Sequence, residues 1–370
     1  MKVGTVKEIK TLEFRVGLTP SNVASYVQHG HEVFVQAGAG LGSYIEDADY
    51  AAAGAVILPT AEEVWAKCDM IVKVKEPLEP EFPLMREGQI VYTYLHLAAE
   101  KDLTEALMKN KVKSVAYETI TDNKGGLPLL KPMSEVAGKL SVQCGARALE
   151  KPQGGRGVLL GGVPGVAKAN VVVIGGGVVG KSAMKMAIGL GANVTVLDNN
   201  LDTLTYIDDV WGGEVQTMYS TPYAIEQALV TADLVIGAVL IPGGAAPKLI
   251  KREYLSKMKK GSVIVDVAID QGGCAETSKV TYHDNPTYEV DGVVHYCVGN
   301  MPGAVSLTST YALTNATLSY GLKIANMGLE AAVKADKHLH PGVNTYAGKL
   351  TCEEVAVAFG MEYTCLDTLL

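Results

Sequence analysis

In open α/β sheets ligands bind beyond the carboxyl ends of the strands, so polar side chains just past apolar runs are the first places to look for chemistry. Four stand out. Arg15, in Glu13-Phe14-Arg15-Val16, lies in a loop after the first strand-like run. Its guanidinium can hold a carboxylate through two parallel hydrogen bonds; an ordinary surface arginine is the competing reading. Lys75 ends the run over 70–75, and Glu76-Pro77 stops the strand. Lys73 shares its parity, so a solvated strand edge competes with a site. His96 ends the run over 89–96, where a period of two puts Tyr92, Tyr94 and His96 on one face. A histidine there can exchange protons near neutral pH, and a packed, hydrogen-bonded histidine is the alternative. Asp270 ends the run over 262–270, ahead of Gly272 and Gly273, and is placed to meet a ligand. Asp266, inside the same strand, needs a buried partner and reads as structural. Nothing marks Cys274 with a depressed thiol pKa, so it reads as packing. No acid or cysteine completes a metal set around the other histidines, and no metal is expected.

These groups need elements to hold them, and the stretch over 169–198 is the most informative. A β-branched apolar run over 171–174 reads as a strand buried on both faces. Gly175, Gly177 and Gly180 follow as Gly-x-Gly-x-x-Gly, then a helix over 181–190, then a second strand ending on Asp198. Gly175 allows the tight turn, Gly177 lets a pyrophosphate approach the backbone, and Gly180 lets helix and strand pack closely. The helix N-terminus offers unbonded N–H groups to phosphates. Asp198 can accept from both ribose hydroxyls and repels a 2′-phosphate, which favours NAD over NADP. A ligand-free glycine turn is the alternative. A turn at 297–303, carrying Asn300, can touch the nicotinamide, with a plain turn as the alternative.

Elsewhere the chain alternates strand and helix. Strands are expected over 3–6, 32–36, 70–74, 89–94, 114–118, 215–219, 234–238 and 263–267. Helices are expected over 20–28, 101–109 and 134–149, with Ser134 as N-cap. The glycine-rich 154–165 lacks a Gly-Lys-Ser/Thr ending and reads as a hairpin. This alternation predicts an α/β protein of two Rossmann-like domains with mostly parallel sheets. A long helical pattern over 308–334 is expected to return the chain to its first domain. The dinucleotide-binding domain, 131–308, is then an insertion in a discontinuous substrate domain formed by 1–130 and 309–370.

Bulk properties narrow the class. With 370 residues, two domains are the prior. A net charge of −8 argues against a general nucleic-acid or anionic-membrane surface. Six scattered cysteines without a Cys-x-x-Cys pair read as reduced thiols in the cytoplasm, and no run suits a membrane span.

Several stretches together resemble the alanine dehydrogenases: Glu13-Phe-Arg15-Val with Thr19-Pro20, Gln36-Ala-Gly-Ala-Gly40, Val72-Lys-Val-Lys75-Glu-Pro, Leu95-His96-Leu-Ala, Pro132-Met-Ser134-Glu-Val-Ala-Gly138, Gln153-Gly-Gly-Arg-Gly157, Asp266-Val-Ala-Ile-Asp270-Gln-Gly-Gly-Cys274 and Gly299-Asn300-Met-Pro302. They run in order nearly end to end. The resemblance implies a cytoplasmic NAD enzyme, usually a homohexamer, that interconverts L-alanine with pyruvate and ammonium. It implies Arg15 and Lys75 as substrate-binding residues and His96 and Asp270 as catalytic ones. Beside the three glycines it implies Ser134, Val178, Val179, Asp198, Thr203, Ser220, Val239, Leu240, Val267, Asp270, Lys279, Val298, Asn300 and Met301 around NAD. Two positions depart from the pattern. Thr203 stands where relatives often carry a basic residue near the adenosine, and Ser306-Leu307 stands where they often read Pro-Arg. The rival readings are the NAD-binding component of a proton-translocating transhydrogenase, an opine or saccharopine-type dehydrogenase, and a non-catalytic NAD sensor.

Overall fold

The computed structural model describes residues 1–239 and 245–370. The chain forms two compact units, Met1–Met133 with Val305–Leu370, and Ser134–Ala304. Both are built from short, β-branched strands that alternate with helices, as the sequence pattern requires of a mostly parallel α/β protein.

The first unit contains β1 (Lys2–Thr5), β2 (Glu32–Gln36), β3 (Val56–Leu58), β4 (Met70–Val72), β5 (Ile90–Thr93) and β6 (Lys113–Ala116). The second contains β7 (Asn170–Ile174), β8 (Asn193–Asp198), β9 (Val215–Tyr219), β10 (Leu234–Gly237), β11 (Val263–Asp266), β12 (Thr287–Val290) and β13 (Val293–Tyr296). The chain then adds β14 (Val343–Tyr346) and β15 (Lys349–Leu350) to the sheet of the first unit.

Among the described residues the first sheet runs β3-β2-β1-β4-β5-β6-β14-β15. Its first six strands are mutually parallel, and β14 and β15 are antiparallel additions. The second sheet runs β9-β8-β7-β10-β11-β13-β12, parallel except for the β12–β13 pair. Each sheet therefore has the strand order of a dinucleotide-binding fold, reversing direction at β1 and at β7 respectively. Ligand-binding residues belong just past the carboxyl ends of such strands.

The return of the chain has a packing cause. Leu350, Cys352, Val355 and Ala356 join Phe34, Trp65, Ile71, Val91, Leu103 and Leu107 in one buried cluster. Each such aliphatic side chain contributes about 1.5–3 kcal/mol when fully buried. A second cluster around Val172, Ile174, Leu229, Val235 and Ile264 forms a core of the second unit.

Five local expectations change. The helix that includes Ser134 starts earlier, at Lys131, so Ser134 lies inside Lys131–Ala148 and is not its N-cap. Pro132 sits in the first turn, where its missing N–H costs nothing. The strand over 70–75 stops at Val72, and the one over 262–270 stops at Asp266 and becomes a tight helical turn over Val267–Gln271. The hairpin within 154–165 narrows to a bridge between Val163 and Val166 around Gly165, whose φ is +86°. The long helix ends at Met327; Gly328, at φ +78°, separates it from Leu329–Ala335.

Candidate functional site

Each parallel strand near the centre of the first sheet delivers one functional candidate beyond its carboxyl end. The loop after β1 carries Arg15, which is 2% exposed. Its Nε and Nη2 donate to Glu13 Oε1 and Oε2, both at 2.6 Å, and Nη1 reaches Met133 Sδ at 3.1 Å. Burial works against the charge of Arg15, but the Glu13 hydrogen bonds and charge outweigh it and raise the pKa. The surface-arginine reading is therefore wrong for this residue. Glu13 holds the Nε–Nη2 fork and fixes the plane of the guanidinium.

After β4 come Lys73 and Lys75, and here the solvated-edge reading fails. Lys73 is fully buried, with its Nζ 3.1 Å from Glu8 Oε2 and 3.0 Å from Glu81 Oε1. Burial opposes its charge, but the two carboxylates win and its pKa rises. Glu8 Oε1 also accepts from the backbone N–H of Val74 at 2.7 Å and of Lys75 at 3.4 Å. The lysine pair thus has divided labour. Lys73 anchors the loop, while the Lys75 ammonium makes no hydrogen bond or ion pair among the described residues. Its pKa is lowered, first by burial and then by the Arg15 charge, with Glu76 and Glu13 partly offsetting both. A part-buried ammonium beside a guanidinium is a strong attractor for a small anion.

His96 lies past the end of β5 at φ 50° and ψ 37°, a left-handed turn that non-glycine residues seldom adopt. The strand-parity argument therefore stops at Thr93. The ring still reaches the aromatic group: it stacks on Tyr94 at 5.9 Å and 10°, and Tyr94 meets Tyr117 edge-on at 5.1 Å. Glu118, just past β6, fixes the turn. Its Oε1 accepts from the backbone N–H of His96 at 2.5 Å and of Leu95 at 3.0 Å, and lies 4.0 Å from His96 Nδ1. Sequence reasoning missed Glu8, Glu13 and Glu118. Local sequence carried no signal for them: Glu118, for one, follows β6 and lies outside the loop that holds His96.

In the second unit, the glycine turn follows β7 where the strand order reverses. Gly175 has φ +101°, and a Cβ there would stand 2.8 Å from Ala238 O. A Cβ on Gly180 would meet Gly175 O at 1.7 Å, whereas one on Gly177 would have nothing within 4 Å. The helix Val178–Gly189 has no side-chain cap at Gly177, so its first N–H groups face that open space. Open approach, an uncapped helix end and a tight crossing are what a pyrophosphate requires, and the residues fit a dinucleotide. At the end of β8, Asp198 accepts from Gly176 N at 2.6 Å and from Asn200 N at 2.8 Å. The Thr203 methyl packs against Gly176.

The remaining candidates follow the same edge. Ser220, half-buried, follows β9 and its N–H donates to Asp198 O at 2.9 Å. Val239 follows β10, and Leu240 lies outside the described residues. Val267 and exposed Asp270 occupy the turn after β11. Val298 and Met301 are buried after β13, and Asn300 adopts φ 57° between them. Lys279 is exposed on a loop whose Thr281 bridges to Val298. Ser134 lies half-buried in its helix. Asp266 is structural: it is fully buried and accepts from Ala268 N, Cys274 N, Ala275 N and Ser278 Oγ. Cys274 is buried, and burial pushes its thiol pKa well up, as packing requires. Among the described residues there is no cluster suited to a metal ion, and no helix is long and apolar enough to cross a membrane.

Comparison with known proteins agrees with this arrangement. Residues 4–137 match the family model "Alanine dehydrogenase/PNT, N-terminal domain", and residues 141–353 match "Alanine dehydrogenase/PNT, C-terminal domain". An alanine dehydrogenase of Methanococcus maripaludis is 56% identical over 98% of this chain and 98% of its own. A solved L-alanine dehydrogenase superposes with a TM-score of 0.95 at 53% identity, covering 97% of this chain and 99% of that one. A transhydrogenase from Sinorhizobium meliloti superposes at 0.83 with 25% identity, covering 95% and 100%. With two carboxyl-edge clusters on two sheets of the same strand order, and both family models matched in sequence, the chain belongs to the alanine dehydrogenase/PNT family.

Proposed function

We propose that this chain is an L-alanine dehydrogenase that uses NAD, converting L-alanine reversibly to pyruvate and ammonium. The observation that carries the reading is the gathering of Arg15, Lys75 and His96 past β1, β4 and β5, in a chain more than half identical to alanine dehydrogenases. The unit formed by 1–133 and 305–370 is the substrate domain, and 134–304 is the NAD domain.

Arg15 and Lys75 bind the substrate carboxylate. Arg15 supplies the guanidinium, and Lys75 also lies near the reacting carbonyl. Bound NAD supplies the acceptor for the hydride leaving the alanine Cα. Asp270, whose carboxylate has no hydrogen bond or ion pair among the described residues, orients the water that attacks the oxidised carbon. His96 moves protons through Nε2 as ammonium departs, while Glu118 and the Tyr94 ring fix the direction of the imidazole. Asp198 selects NAD through the ribose hydroxyls. We also assign the protein to the cytoplasm as a homohexamer. All six cysteines are free, which suits a reducing compartment, and light scattering reads the assembly.

One assay tests the reaction. NADH should be oxidised with pyruvate plus ammonium, and not when lysine or ornithine replaces ammonium. Oxidation only with the amino acids would mean an opine-type enzyme, and none in any mixture would mean a binding module or sensor.

Arg15→Lys probes the carboxylate contact. An ammonium cannot reproduce a planar edge or the Glu13 fork, so the pyruvate KM should rise about 10- to 100-fold, the range expected for a charged hydrogen bond. An unchanged KM removes Arg15 from the substrate site.

A further inference from the structure

Asp270 stands in a turn that its own sequence does little to fix. Gly272, at φ +87°, and Gly273, at φ +78°, follow it as consecutive left-handed residues, and glycine restricts the backbone least of all residues. The surroundings are nevertheless close. A Cβ on Gly299 would stand 3.2 Å from Asp270 Oδ1, and one on Gly273 would stand 2.7 Å from Asp266 Oδ2. Asp266 holds the donor side of the turn, accepting from the N–H groups of Ala268, Cys274 and Ala275. The carbonyl side needs donors of its own, since a helical turn ends in carbonyls without intrahelical partners.

The segment 246–250, between β10 and β11, supplies them. The Ala246 N–H donates to Gln271 O at 2.9 Å, and the N–H groups of Leu249 and Ile250 donate to Cys274 O at 2.8 and 3.1 Å. Lys248 fills the gaps with its side chain. Its Nζ donates to Gly272 O, to Gly273 O at 2.8 Å and to Ala275 O at 3.2 Å. Five consecutive carbonyls, Gln271 to Ala275, therefore accept from this one segment, and three of them share one ammonium. An exposed lysine such as this ordinarily leaves its ammonium in water and its stem free to rotate. Here the three donors of the ammonium are committed to the main chain, at the end of a helical turn where a positive charge is favourable.

We propose that Lys248 is a positioning residue for Asp270: its ammonium closes the carbonyl side of the turn, as Asp266 closes the N–H side, and so fixes where the Asp270 carboxylate meets the reacting water. Lys248 acts through the turn and not on the substrate. The proposal rests on the role given to Asp270 above.

Steady-state alanine oxidation at saturating NAD, with NADH titration alongside, tests it. Lys248→Met keeps the length of the stem and removes the donors. It should lower kcat about 10- to 50-fold, within the loss that a misplacement of about 1 Å can cause. The alanine KM and the NADH Kd should stay within about twofold of the parent, as for an interaction that acts on the chemical step alone. Lys248→Arg, which restores a cation with several donors, should recover most of the rate. In an Asp270→Asn background Lys248→Met should add nothing, because the group it positions is already gone. Lys248→Gln, which keeps a shorter amide donor, replaces the methionine variant if that one fails to fold. An unchanged kcat, or an equal loss with and without the Asp270 carboxylate, overturns the proposal, because the lysine would then serve only the fold. A loss carried by the NADH Kd also overturns it, since the turn would then be held for the cofactor. In each of these cases the role of Asp270 stands. A parental kcat in Asp270→Asn itself would remove that role, and the proposal with it.

Discussion

His96→Ala should lower kcat by about two to four orders of magnitude, the usual contribution of a positioned proton donor and acceptor, while NADH binds with near-parent affinity. The expectation follows from how the side chain is held. A left-handed backbone at residue 96 is tolerated because Glu118 takes the N–H groups of both Leu95 and His96, and the imidazole lies flat on Tyr94. Packing alone would not need an unfavourable backbone conformation at a side chain that is 46% exposed. Strain of this kind, over-determined by its surroundings, marks a group kept for its chemistry. Asp270→Asn should cost turnover to a similar extent, since an amide cannot orient water as a carboxylate does. Steady-state rates of alanine oxidation, paired with NADH titration, separate the outcomes. A kcat near that of the parent in either variant would remove the role assigned to that residue. A parallel collapse of NADH affinity would instead point to a damaged fold.

Much of this arrangement is legible in the sequence because the strands are short, β-branched and followed directly by punctuation. Gly175, Gly177 and Gly180 are recognisable since each answers a separate steric demand, and the structure places an added Cβ in collision at two of them and in open space at the third. Arg15, Lys75, His96 and Asp270 are recognisable because they follow apolar runs. What the pattern does not reveal is where a strand stops. Lys73 and Asp270 look like strand residues by parity, yet the ladder ends at Val72 and Asp266. Beyond those points the backbone is held by carboxylates, Glu8 from the loop after β1 in one case and Asp266 at the strand end in the other. The partners Glu8, Glu13, Glu81 and Glu118 are equally hidden. A glutamate that will be buried against a cation has the same local sequence signature as one that will face water. The antiparallel strands β14 and β15 escape notice for another reason: they are too short for any period to register and are specified by pairing, β14 with β6 and β15 with β14.

Those hidden glutamates carry the other large effect, on stability. Lys73→Met should destabilise the protein by about 3–5 kcal/mol near neutral pH, the cost of leaving a buried charge without its partner. Methionine fills the space of the lysine stem, so the loss is electrostatic: Glu8 and Glu81 would face each other with nothing between them. Burial already raises the pKa of Glu8, and Lys73 is the first influence opposing that rise. Removing the lysine lifts it further. An acid whose pKa is higher in the folded than in the unfolded state weakens the fold at pH values above both, and the penalty disappears as the pH falls below the unfolded value. The deficit of Lys73→Met should therefore be largest at pH 7–8 and shrink steadily on acidification towards the ordinary carboxylate range. Urea unfolding of parent and variant across that range measures it. A deficit that does not change with pH would mean that Lys73 serves by packing its stem, not by its charge. The same variant should raise the pyruvate KM, because Glu8 also grips the backbone N–H groups of Val74 and Lys75. A carboxylate that must take up a proton, or turn towards water, can no longer hold the loop that aims the Lys75 ammonium.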